Sequence, residues 1–198
     1  MDCKKVGKLI LDLRKENKMT QKMLAEALHL SDKTISKWER GLGCPDVSLL
    51  GQLSSVFKVD IEKILLGDLE PSTPEVGNMK KTSFYVCKSC GNILLSSSAM
   101  TPSCCGRKLS PLEAQSAEEN HGVRVEEIEN DYFLSFDHPM SKGHYISFVS
   151  YVTPSSVLLM KLYPEQSPSL RFPRIFGGKL YYYCTEHGLF LKESMKNI

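Results

Sequence analysis

Four of the chain's five histidines lie beyond residue 120, in three short strings that also hold a cysteine. The strings are Glu119-Asn120-His121, HPMSKGHY (138–145) and CTEHG (184–188). Four imidazoles, at His121, His138, His144 and His187, and one thiol, at Cys184, suit a redox-active iron better than a structural zinc. Structural zinc is tetrahedral and takes at most four ligands from the protein. Five nitrogen and sulfur donors leave one octahedral position open, where a small molecule can bind.

A second cysteine cluster precedes these strings: CKSCG, with Cys87 and Cys90, then SCCG, with Cys104 and Cys105. Two thiols in C-x-x-C approach a metal from one turn. The adjacent pair can both reach it if the backbone bends between them. Four thiolates make a tetrahedral site for iron or zinc, and the sequence does not separate the two. Zinc there would be a cross-link for a segment too short to build a core. Cys3 and Cys44 have no partner at ligand spacing and are expected to be ordinary thiols.

Taken together and in this order, the two clusters resemble desulfoferrodoxin, of the superoxide reductase family, from about Lys81 to the last residue. Each histidine alone would by default be a satisfied core residue; the full set in family register reverses that. The resemblance implies a desulforedoxin-like module followed by an iron-binding β domain. It implies equatorial nitrogens from His121, His138, His144 and His187, axial sulfur from Cys184, and iron in the four-cysteine site of such modules. It also implies one-electron reduction of superoxide to hydrogen peroxide, an electron donor such as rubredoxin, and homodimers paired through the cysteine module. One departure stands out. The family reads Glu-Lys-His where this chain has Glu119-Asn120-His121. The glutamate is taken to cap the open position of the oxidised metal, and the lysine to draw in the anion. Losing that charge should weaken electrostatic steering. Lys142, between His138 and His144, is the candidate stand-in.

Residues 1–68 carry helical periodicity. Val6, Leu9, Ile10 and Leu13 share one face. Thr20 and Ser31 are N-cap candidates. Gly41 and Gly43 end the helix of Ile35 and Trp38. Pro45 opens another helix, with Leu49, Leu50, Leu53 and Phe57 inward, and Asp60 starts a last short one. The string QKMLAEALHLSDKTISKWERG (21–41) resembles the Cro/repressor, or XRE, class of helix-turn-helix. That resemblance implies five helices, the third entering the major groove of an operator in double-stranded DNA. Asp32, Lys33, Thr34, Ser36 and Lys37 would face out, with Lys33 or Lys37 reaching guanine edges. Gln21, Lys22 and Arg40 match phosphate-holding positions, and Arg14 and Glu39 match a buried ion pair. His29 occupies the turn where the family often has glycine; histidine tolerates a left-handed backbone better than most residues.

A chain of 198 residues fits one large domain or two to three small ones. The expected class is multidomain α and β. Residues 1–68 form the helix-turn-helix domain, 69–82 a linker with two prolines and a glycine, and 83–112 the cysteine module. Alternating apolar runs at 123–128, 145–152, 157–162 and 180–183 indicate a β-sandwich or barrel, and the resemblance implies that residues 113–198 form an immunoglobulin-like antiparallel β-sandwich. A net charge of +2 says nothing about partners. No apolar run has membrane-spanning length, and residues 9–13 are too broken for a signal core. A cytoplasmic protein is expected, whose seven cysteines argue for metal over disulfides. Function then divides between a DNA-associated superoxide reductase and a regulator whose iron centre senses redox state. A DNA-binding protein merely stabilised by metal is disfavoured by the complete ligand set.

Overall fold

The computed structural model describes residues 1–69, 79–117 and 121–195. Residues 70–78 of the expected linker, and with them Glu119 and Asn120, lie outside the described residues. The chain divides into two compact units, Met1–Thr73 and Pro74–Ile198.

The first unit packs five helices: α1 (Cys3–Glu16), α2 (Gln21–Ala27), α3 (Asp32–Glu39), α4 (Leu50–Phe57) and α5 (Ile61–Leu66). The first three helices each start at a side-chain cap. The Asp2 carboxylate accepts the Lys4 N–H at 2.9 Å, Thr20 Oγ1 the Met23 N–H at 3.1 Å, and Ser31 Oγ the Thr34 N–H at 3.2 Å. These bonds satisfy helix-terminal donors that have no partner within the helix. His29 takes the left-handed backbone, with φ 56°, in the turn between α2 and α3. Val6, Leu9, Ile10 and Leu13 meet Leu24, Leu28, Ile35, Trp38, Leu50 and Leu53 in one core. Burial of each such side chain contributes about 1.5–3 kcal/mol over leaving it in water. Helix α1 and the end of α3 touch through backbone: a Cβ on Gly7 would lie 1.9 Å from the Trp38 carbonyl oxygen, so only glycine fits.

Two sequence expectations need correction here. Pro45 does not open α4. It is buried ahead of Asp46, whose carboxylate caps Ser48 N–H at 2.9 Å and starts a short 3-10 turn, Val47–Leu49, that leads into the helix. Nor are Cys3 and Cys44 ordinary thiols: they form a disulfide, with Cα atoms 4.9 Å apart. A separation of 41 residues hides this contact in the sequence. The packing of α1 across the end of α3 creates it.

The second unit begins with two small hairpins, β1 (Ser83–Val86) with β2 (Ile93–Ser96) and β3 (Ser103–Cys104) with β4 (Arg107–Lys108). The remaining strands are β5 (Ala114–Ser116), β6 (Val123–Ile128), β7 (Asp131–Phe136), β8 (Ile146–Val152), β9 (Val157–Lys161), β10 (Ser169–Pro173), β11 (Lys179–Cys184) and β12 (Gly188–Lys192). They make a three-stranded sheet, β10-β7-β6, and a five-stranded sheet, β5-β12-β11-β8-β9. Pairing is antiparallel except where β5 runs parallel to β12, the one departure from the expected wholly antiparallel sandwich. Strand β11 shows how alternation builds this region. Leu180, Tyr182 and Cys184 enter the core shared by both sheets, beside Leu134, Phe136, Val149 and Phe190. Tyr181 and Tyr183 face the other side and pack with Phe84 and Phe148, so β1 covers the outer face of the five-stranded sheet. Both faces of β8 are therefore covered, and all seven of its residues are buried.

Candidate metal centres and recognition helix

The register between β11 and β8 slips between Tyr183 and Cys184. The extra residue is Ser147 of β8, and an irregularity of this kind bends the strand that carries it. This one lies where β11 ends and the CTEHG turn begins. Cys184 Sγ is fully buried and 3.4 Å from His187 Nδ1. The ligand atoms of His121, His144, Cys184 and His187 all lie within 4.8 Å of one another. His138 stands beside this group, its ring centroid 4.5 Å from that of His144 and 4.9 Å from that of His121. All five residues singled out in the sequence are thus brought together, four tightly and His138 against them.

Neighbouring groups hold the cluster in place. The Tyr182 hydroxyl donates to the His121 carbonyl at 2.6 Å, and Phe190 stacks on the His121 ring at 4.3 Å. Burial pushes the Tyr182 phenol above its usual range, so it stays a donor. Thr185 ties the two ligand loops: its Oγ1 donates to the Gly143 carbonyl at 2.9 Å and accepts the Tyr145 N–H at 3.2 Å. Gln115, on β5, donates to the His187 carbonyl at 2.6 Å. The Glu186 carboxylate lies 3.8 Å from His144 Nδ1. His144 Nε2 is buried with no hydrogen-bond partner among the described residues, as are both ring nitrogens of His138. Burial, then the neighbouring imidazoles, push His138 down to about 4. It is therefore neutral at physiological pH, the form that ligates metal. A buried polar nitrogen left unpaired costs free energy, and a metal would satisfy these. Lys142 is exposed in the loop between His138 and His144. Thr185, Glu186, Tyr182 and Gln115 carried no role in the sequence reading. Thr185 and Glu186 stood inside the CTEHG string, whereas Gln115 had no local signal.

The four cysteines of the small hairpins converge equally closely, with Cys87, Cys90, Cys104 and Cys105 sulfurs all within 4.8 Å of one another. The adjacent pair achieves this because Cys105 takes a positive φ of 50°, turning the chain between them. Backbone amides of Cys90 and Ser89 draw the Cys87 thiol down to about 6. Its neighbours Cys90 and Cys87 push Cys105 up to about 12. Four thiolates crowded this closely repel one another, and a cation relieves that repulsion.

Over 124 residues the chain is 33% identical to a desulfoferrodoxin from Syntrophotalea carbinolica, covering 58% of this chain and 98% of that protein. The chain belongs to the desulfoferrodoxin family. The desulfoferrodoxin region is β-rich, and its fold matches the solved superoxide reductase from Treponema pallidum, with a TM-score of 0.50 and 22% identity over 56% of this chain and 96% of that one. This chain carries a further unit ahead of that region. Residues 10–64 match the helix-turn-helix family. The transcriptional activator BcrR of Enterococcus faecalis is 38% identical over 77 residues, 37% of this chain and 38% of that protein. No helix among the described residues is long and apolar enough to cross a membrane.

In the helix-turn-helix, Asp32, Lys33 and Lys37 on α3 are exposed and Thr34 and Ser36 half-buried, while Ile35 and Trp38 anchor the helix in the core. Thr34 Oγ1 lies 2.8 Å from Ser31 Oγ, within the cap, and Asp32 Oδ1 accepts the Lys33 N–H at 2.8 Å. Lys22 is exposed at the start of α2. Arg40 folds back along α3, its Nε donating to the Ser36 carbonyl at 3.1 Å. The Gln21 amide donates to Glu39 Oε2 at 2.7 Å and so also braces the Arg14–Glu39 pair.

Proposed function

We propose that this protein is an operator-binding superoxide reductase: residues 1–68 bind double-stranded DNA, and His121, His138, His144, Cys184 and His187 hold a mononuclear non-haem iron. The observation that carries this reading is the meeting of four imidazoles and one buried thiol, with His144 Nε2 buried and lacking a hydrogen-bond partner among the described residues. Five soft and borderline donors fit iron and exceed what a structural zinc takes. Iron held there would supply a one-electron couple for reducing superoxide to hydrogen peroxide. The chain's own part is to keep the His138 imidazole neutral, to hold His121 through Tyr182 and Phe190, and to lock the ligand loops through Thr185. The Glu186 carboxylate, 3.8 Å from His144 Nδ1, sets a negative charge beside that ring without hydrogen-bonding it. The four-cysteine module (83–112) holds a second iron or a zinc, joined through the linker at 69–82, and the iron domain occupies 113–198. The electron donor is a small redox protein such as rubredoxin, and the working species is a cytoplasmic homodimer. The deciding experiment is rapid mixing of reduced, iron-loaded protein with superoxide. One hydrogen peroxide should appear per superoxide consumed, with no oxygen released; oxygen release or no consumption would refute the enzymatic reading.

Asn120, in place of the family lysine, favours a second reading. Slower capture of superoxide would suit a centre that senses redox state and controls operator binding. Asn120→Lys should raise the second-order rate constant, and the gain should shrink with added salt as screening grows. An unchanged rate would mean that Lys142 or another cation already supplies the field. If sensing dominates, operator affinity differs between the two oxidation states of the iron centre.

The DNA side has its own test. A single short recognition helix makes few base contacts, so the protein should bind as a dimer to half-sites about one helical turn apart. Lys37→Ala should change sequence preference, at a cost of about 1–3 kcal/mol on the best site. Lys22→Ala should weaken all sequences alike and reduce the salt slope by about one unit. Equal salt slopes for wild type and Lys22→Ala would remove Lys22 from the phosphate contacts.

A further inference from the structure

Of the seven cysteines, four converge in the small hairpins and Cys184 joins the histidine cluster. The remaining two form the Cys3–Cys44 disulfide. Both residues are half-buried, so the bond is within reach of small molecules. Its position is informative. Cys3 is the first residue of α1, and Cys44 lies in the segment that leaves the recognition helix α3. That segment is held on both sides. Gly41 turns it with φ +69°, its N–H on the Trp38 carbonyl at 2.8 Å, and packs on Lys4. The Leu42 N–H bonds the Lys37 carbonyl at 3.0 Å. Gly43 lies along the Lys37 side chain: a Cβ there would come 3.4 Å from Lys37 Cε and 3.8 Å from its Cδ. The residue next to Gly43 is Cys44. The disulfide thus pins the strip of backbone against which the outward lysine of the recognition helix rests.

We infer that Cys3 and Cys44 are a reversible dithiol–disulfide pair, oxidised by a peroxide, whose bond sets operator affinity by fixing the strip under Lys37. This rests on the DNA-binding reading of the first unit. The chemistry balances. The thiolate of one cysteine attacks a peroxide oxygen, the O–O bond breaks, and water leaves a sulfenic acid. The second thiol then displaces a second water and the S–S bond forms. Two thiols and one hydrogen peroxide give one disulfide and two waters, the two electrons coming from sulfur. Reduction reverses the pair by exchange with a small thiol, which leaves as its own disulfide. Hydrogen peroxide is also the product proposed for the iron centre, so the reductase and the pair would share one chemical signal. In the oxidised state the strip and Lys37 are ordered as the structure has them. In the reduced state the strip is freed from α1, and affinity falls by about tenfold, within the ordinary range of coupling between sites.

The test uses full-length, metal-loaded protein and a duplex selected from a random-sequence pool by the oxidised form. Protein reduced with dithiothreitol is treated with one equivalent of hydrogen peroxide. Peptide mass analysis should then find Cys3 joined to Cys44, and fluorescence anisotropy should show the tighter binding restored. Cys3→Ser with Cys44→Ser should bind at the weaker level under both conditions, while its visible absorption still responds to peroxide as in the wild type. The wild-type comparison stands even if that variant folds poorly. Failure to form the cross-linked peptide, or equal affinity before and after reduction, overturns the proposal. A double variant whose affinity still follows peroxide assigns the response to the iron centre instead and also overturns it. If no duplex is selected, the DNA-binding reading falls, and control of affinity falls with it.

Discussion

Cys184→Ser is expected to abolish the thiolate-to-metal charge-transfer absorption of the oxidised protein while leaving much of the iron bound. Its superoxide consumption should fall more than about a hundredfold, since even outer-shell losses at metal sites cost up to that much. The argument starts from burial. Cys184 is fully buried at the end of β11, inside the core shared by the two sheets. Serine is close to isosteric, so packing should survive. The hydroxyl, however, is a poor donor of charge to a metal, and a buried one lacking a partner costs about 1–3 kcal/mol. His121, His144 and His187 keep their places, because Tyr182, Thr185 and Gln115 hold their loops independently of the sulfur. Loss of colour with iron retained is therefore the signature, read by visible absorption beside metal analysis. The four-cysteine site is a control, because any absorption that an iron there contributes should be untouched. If the variant keeps the full spectrum, the colour comes from the four-cysteine site alone, and Cys184 is not a ligand. If iron-replete wild-type protein holds no iron beyond the four-cysteine site, the centre itself is refuted.

How much of this was legible in the sequence follows from how local each cause is. N-caps at Thr20 and Ser31 act within three residues, and the apolar stripe of α1 within four, so both were readable. The metal clusters were readable because ligand chemistry restricts residue types so strongly that cysteine and histidine strings stand out. His29 could be placed in the turn because the resemblance puts it where the family often has glycine, and its φ of 56° is the left-handed backbone such a turn needs. What the sequence hid depends on tertiary packing. The Cys3–Cys44 bond follows from α1 lying across the end of α3, a contact made possible by Gly7. Compartment-based reasoning about thiols also pointed away from it. The parallel pairing of β5 with β12 brings Gln115 to the His187 carbonyl across 72 residues. The extra residue that β8 carries at Ser147, opposite the end of β11, appears only once the two strands are paired. The bond from the Gln21 amide to Glu39 joins residues 18 apart and likewise exists only once the helices pack.

The buried ion pair of the first unit carries the other large expectation. Arg14→Ala should destabilise residues 1–68 by about 3–5 kcal/mol, the usual result of leaving one member of a buried pair alone. Domains hold about 0.05–0.15 kcal/mol per residue in total, so for a unit this size the loss approaches the whole of its stability. The geometry justifies the large figure. Arg14 meets Glu39 through two nitrogens, Nε to Oε1 at 2.5 Å and Nη2 to Oε2 at 3.0 Å, and its Nη1 donates to the Met19 carbonyl at 2.8 Å. The Glu39 side chain is only 4% exposed. Burial pushes its carboxyl up, but hydrogen bonds from Arg14 and Gln21, together with nearby positive charge, outweigh this and hold it below its usual range. A depressed folded-state value means that the stabilisation is full at neutral pH and is lost as acid takes the medium through that value. Without Arg14, the carboxylate stays buried with Gln21 alone, or must take up a proton. The chain's single tryptophan, Trp38, is 5% exposed in this core, so its emission follows unfolding of this unit alone. Arg14→Ala should shift the denaturation midpoint of that emission sharply downward and abolish DNA binding, with the metal centres' absorption unchanged. Arg14→Met combined with Glu39→Leu should recover most of the stability, because apolar replacement of both partners leaves no orphaned charge. A midpoint within about 0.5 kcal/mol of wild type for Arg14→Ala, the size of an ordinary surface substitution, would show that water reaches Glu39 and that the pair is not what holds α1 to α3.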